Sequence, residues 1–89
     1  MGKKLYVGSL AYSIKNNELE QMFSEAGAVQ SVQVVMDPVT GQGKGYAFVE
    51  MLTDEDAARA IQALNSTIHN GRSIIVTEAK PERINGKKK

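Results

Sequence analysis

Tyr6, Tyr46 and Phe48 are three of the five aromatic residues in a chain of 89, and their spacing gives them chemical interest. In the run Tyr46-Ala47-Phe48-Val49-Glu50-Met51 successive side chains of a strand must turn to opposite faces. Ala47, Val49 and Met51 then make one apolar side, and Tyr46, Phe48 and Glu50 the other. Tyr6 sits in the same way between Leu5 and Val7. Three flat π-faces on a surface that the core does not claim can stack against unpaired bases or cover a protein partner.

Other chemistries find little to work with. Without cysteine there is no thiolate nucleophile, disulfide or thiolate zinc site, and the lone His69 has no partner at ligand spacing. Gly8, Gly41, Gly43 and Gly45 do not make a nucleotide-binding fingerprint, because a strand rather than a helix follows Gly45. The acids Glu18, Glu20, Glu25, Asp54, Glu55 and Asp56 read as helix surface, with no two placed as a catalytic pair. An acyl-phosphate hydrolase on a related topology would need an arginine in a phosphate-cradling loop, and Arg59 and Arg72 lie outside any such loop. The expectation is no enzyme, no cofactor and no metal.

The elements that position the aromatics follow from periodicity. Leu5 to Leu10 alternates as a first strand. Asn16 or Asn17 is expected to cap a helix with Leu19, Met22, Phe23 and Ala26 on one stripe, stopped at Gly27. Val32 and Val34 alternate in a second strand, and Asp37-Pro38 with the glycine-rich stretch to Gly45 forms a hairpin loop before the third strand, Tyr46 to Met51. Thr53 and Asp56 form a capping arrangement for a second helix with Ala57, Ala60, Ile61 and Leu64 inward, ended by Asn65. A loop containing Asn70-Gly71 precedes a fourth strand with Ile74 and Val76 inward. Four strands and two one-striped helices in the order βαββαβ close as an α+β, ferredoxin-like sandwich, a four-stranded antiparallel sheet with both helices on one face. The other face, bearing Tyr6, Tyr46 and Phe48, stays open.

Length leaves room for one core, expected over residues 1–80, with a flexible basic tail at 81–89. The formal net charge of +1 hides a split: residues 1–79 hold six Lys or Arg against nine acids, whereas residues 80–89 hold five against one. No apolar run approaches a membrane span and no signal-peptide pattern opens the chain, so a soluble, cytoplasmic monomer is expected, with no membrane partner.

Leu5-Tyr6-Val7-Gly8-Ser9-Leu10 and Lys44-Gly45-Tyr46-Ala47-Phe48-Val49-Glu50-Met51 resemble the paired ribonucleoprotein motifs of the RNA-recognition motif (RRM) family, over about residues 3 to 80 and most closely its small stand-alone bacterial members. The resemblance implies binding of single-stranded RNA, with single-stranded DNA as a second candidate. It implies that Tyr6 and Phe48 each stack one base, that Tyr46 packs against a sugar or between nucleotides, and that Lys44, together with Lys4, meets phosphate. Base edges would be read by Gln33, Val35, Glu50, Ile75, Thr77 and Lys80 around the platform. A protein-interaction module using the same sheet face or the helices is the alternative. Ser9 stands where the family usually has Asn, Met51 where it has an aromatic, and Lys15 where a capping Thr often sits.

Overall fold

A computed structural model describes residues 3–79. The elements are β1 (Lys4–Gly8), α1 (Asn16–Ser24), β2 (Val29–Met36), β3 (Gly43–Met51), α2 (Asp54–Leu64), β4 (Ile68–His69), β5 (Arg72–Ser73) and β6 (Ile75–Glu78). β2, β3, β1 and β6 form one sheet in that order, with every neighbour antiparallel. α1 packs over β2, and α2 over β6 and β3. This is the ferredoxin-like sandwich expected, and β1 and β3, the strands that carry the aromatics, are its two central strands.

The core lies between sheet and helices. Leu5, Val7, Val34, Ala47, Val49, Met51, Ile74 and Val76 meet Leu19 and Phe23 of α1 and Ala57 and Ala60 of α2, all buried, and Val32 packs against them partly buried. Every residue expected to face the helices does so. Met51 is fully buried and fills its place with a flexible side chain.

Local details depart from the sequence reading where side chains do work that propensity does not show. Asn16 does not cap α1. The N-cap is Lys15, whose backbone N–H is taken by Glu18 at 3.0 Å, while the Asn16 side-chain oxygen accepts from the Val34 N–H at 2.9 Å. Asn65 does end α2, and its side-chain oxygen also accepts from a strand, at Val76 N–H, 2.9 Å away. Thr53 caps α2 as expected, accepting from Asp56 N–H and donating its hydroxyl to the Asp56 carboxylate. The third strand begins at Gly43, three residues earlier than alternation indicated, because the hairpin pairing Met36 with Gly43 needs no side-chain pattern. Asn70-Gly71 is itself the two-residue turn of the small β4–β5 hairpin, with φ of 55° and 77°.

Val34 and Val76 lie on β2 and β6, the two edge strands. An edge strand presents unpaired amides that can template another chain. The two asparagines therefore satisfy one such amide on each side of the sheet. Asn16→Ala and Asn65→Ala should each cost roughly 1–2 kcal/mol by leaving a part-buried N–H without its acceptor. Sharing no partner, the two losses should add in the double variant, as urea unfolding of the three proteins will measure.

Candidate nucleic-acid interface

The β1–β3 register sets Tyr6 opposite Phe48 and Lys4 opposite Glu50, and the β1–β6 register sets Tyr6 opposite Thr77 and Gly8 opposite Ile75. On the far side of β3, Gln33 lies opposite Phe48. Residues directly opposite share a face, so one open surface carries Tyr6, Phe48, Gln33, Thr77, Lys4, Glu50 and Ile75, with Tyr46 two residues before Phe48.

The three aromatics form a near-equilateral triangle. Ring centroids are 5.9 Å apart for Tyr6 and Tyr46, 6.0 Å for Tyr6 and Phe48, and 6.1 Å for Tyr46 and Phe48. The interplanar angles run from 32° to 87°, within the tilted and edge-on arrangements that aromatic quadrupoles favour. Each ring is half-buried against its neighbours rather than wholly exposed. The mutual packing restricts the freedom of the three rings.

Lys4 is exposed but leans onto this face. Its ammonium lies over the Phe48 ring, 5.5 Å from the centroid, a cation–π contact. Sequence reading missed this contact, although the two-residue step from Lys4 to Tyr6 places both on one face. Lys44 is exposed at the entry to β3. Of the remaining candidates, Gln33 and Thr77 are exposed, while Val35 and Glu50 are partly buried at the rim. Lys80 and the basic tail at 81–89 lie outside the described residues.

Tyr12, in the loop between β1 and α1, is 62% exposed, and its backbone carbonyl accepts from Gly43 N–H at 3.1 Å, which ties that loop to the start of β3. A Cβ on Gly45, at φ +91°, would come 3.1 Å from its ring. Hollows between Tyr12, Ile14, Met36 and Gly43 and between Glu18, Met22, Glu25 and His69 include none of the aromatic triangle. Among the described residues no group of three potential metal ligands comes together. Among the described residues the three rings make a shared aromatic surface whose faces and edges can stack and make edge contacts.

Comparison with known proteins agrees with this geometry. The profile described as "RNA recognition motif" matches residues 5–75. The chain is 47% identical over 73 residues to the chloroplastic RNA-binding protein CP33 of Arabidopsis thaliana, covering 82% of this chain and 22% of that protein. It therefore spans about a fifth of that relative's length. It is 40% identical over 82 residues to RbpA of Nostoc sp., named as an RNA-binding protein, covering 92% of this chain and 80% of the relative. Among solved structures, the Rna15 RRM with bound RNA (GU) superposes with a TM-score of 0.83 at 29% identity, over 97% of this chain and 92% of that one.

The hairpin ahead of Lys44 is organised by Asp37. Its carboxylate accepts from Val39 N–H at 2.8 Å and Thr40 N–H at 3.3 Å. These two hydrogen bonds, with a smaller attraction from Lys44, hold its pKa below the ordinary 3.8. A depressed carboxylate pKa means that the bonds contribute fully above the unfolded value and are lost as pH falls through the folded one. The Asp37 carboxyl should titrate with a midpoint below 3.8, and the Val39 and Thr40 amide shifts should follow the same curve by NMR. A midpoint at or above the ordinary value would contradict the bonding.

Proposed function

This chain belongs to the RNA recognition motif family, and we propose that it acts as a non-enzymatic, single-stranded RNA-binding protein that stacks bases on Tyr6, Tyr46 and Phe48. The observation that carries the reading is the aromatic triangle, with spacings of 5.9 to 6.1 Å, on a sheet face that neither helix covers. Tyr6 and Phe48 each take one base, and Tyr46 packs against a sugar or between neighbouring nucleotides. Lys44 and Lys4 hold phosphates, while Gln33, Val35, Glu50, Thr77 and Lys80 contact base edges. The Rna15 RRM, similar over nearly its whole length, is a structure with RNA bound, which supports RNA as the partner here; single-stranded DNA would compete wherever no 2′-hydroxyl is read. We read the chain as a monomer, with one amide on each sheet edge satisfied from within the chain.

Base–aromatic stacking contributes on the order of 1–3 kcal/mol per base. Tyr6→Ala combined with Phe48→Ala should therefore remove measurable binding to unstructured RNA while the chain still unfolds cooperatively. Fluorescence anisotropy and thermal melting on the same protein decide this, and retained affinity would sink the proposal.

Charge is a secondary contributor, because residues 1–79 carry more acids than bases. With Lys4 and Lys44 meeting two phosphates, the slope of log affinity against log salt should be roughly −1.4 once residues 81–89 are removed. Any steeper slope in the full chain then measures what the tail adds.

A further inference from the structure

Gly8 stands on the open face, yet it is buried. The cover is Tyr6: a Cβ built on Gly8 would lie 2.7 Å from the Tyr6 hydroxyl oxygen, 2.8 Å from its Cε2 and 3.0 Å from its Cζ. Two residues on in a strand is the next position on the same face, so the Tyr6 side chain leans forward along β1 and lays its ring over the bare Cα of Gly8.

That lean accounts for the shape of the triangle. Tyr6 is directly opposite Phe48 in the register, which makes Tyr46 its diagonal neighbour. Diagonal positions are about 7–8 Å apart, further than directly opposite ones, and an aromatic side chain spans that gap by leaning along the strand. Here the Tyr6 ring is as close to Tyr46, at 5.9 Å, as to Phe48, at 6.0 Å. The ring therefore lies on the Tyr46 side of its own position, in the space a side chain at position 8 would fill.

We infer that Gly8 is a positioning residue for base stacking: the absence of a side chain there sets where the Tyr6 ring lies, and any β-carbon at that position displaces the ring. The inference rests on the reading of Tyr6 as a stacking residue. The backbone at Gly8 is outside the left-handed region, unlike that of Gly41, Gly45 and Gly71, so alanine fits the strand without backbone strain and the variant is expected to fold. Contacts this short cannot persist beside a real Cβ. The ring must turn away from Gly8, and its distance to Tyr46 must grow.

A thermodynamic cycle tests this with the full chain and a labelled random-sequence octaribonucleotide pool as probe. Gly8→Ala should weaken binding about tenfold in the native background, comparable to losing a substantial part of one stack, and should change nothing in a Tyr6→Ala background. In the free protein the same substitution should abolish nuclear Overhauser contacts between the Tyr6 and Tyr46 rings while core amide shifts stay in place. Equal loss in both backgrounds would overturn the inference, since Gly8 would then act on RNA or on the fold directly. A weakened Tyr6→Ala beside an unaffected Gly8→Ala would overturn the positioning role alone. Full affinity in Tyr6→Ala would overturn the stacking reading and the positioning role with it.

Discussion

The antiparallel register that sets Tyr6 opposite Phe48 also sets Leu5 opposite Val49 and Val7 opposite Ala47, and the open face depends on it. Strand side chains alternate between faces, so a slip of one residue in β1 would send Leu5 and Val7 to solvent and press Tyr6 into the helices. Exposing two fully buried aliphatic side chains costs roughly 1.5–3 kcal/mol each. Burying the Tyr6 hydroxyl without a partner would add to that. The helix-facing residues touch no ligand in the proposed reading, yet they determine which atoms a ligand meets. Recognition surface and core are two sides of one alternating pattern.

A four-stranded sheet with one open face also has two open edges, and its residues serve both needs with few side chains. Asn16 and Asn65 stand at the start of one helix and just past the end of the other, and each reaches to an edge-strand amide from the helix side. Their position leaves the aromatic face untouched. A longer or charged guard on the open side would compete with whatever binds there. Each asparagine also ties a helix end to a strand, so the bond that satisfies the edge amide also fixes how the helix lies on the sheet.

The fold was legible because its signals were redundant. Alternation in Tyr46–Met51, the stripe Leu19, Met22, Phe23 and Ala26, and Thr53 with Asp56 three residues on each gave one element its type and its inward face. What escaped notice depends on side chains meeting across long separations. Asn16 looks like a cap because asparagine is a good one, and nothing local announces Val34, eighteen residues away. Lys4 over Phe48 is hidden for the same reason, since β1 and β3 meet only after folding. Ser9 was legible as a departure but not in its consequence: at φ 61° it occupies the left-handed region in which asparagine is enriched, which gives a physical ground for the residue the family usually carries there.

The contact of Lys4 with Phe48 shapes how the platform would exchange partners. A cation over an exposed ring is stabilising by about 0.5–1 kcal/mol, whereas a stacked base contributes on the order of 1–3 kcal/mol. On the proposed reading, a base that takes the Phe48 face would therefore displace the ammonium at a net gain. The displaced charge would stay on the same sheet face, tethered at Lys4 beside the proposed RNA strand. On the proposed reading Lys4 would cover an aromatic face of the free protein and meet phosphate once RNA is bound. A domain with more acids than bases over residues 1–79 would in this way serve a polyanion with few cations, because one of them would be used in both states.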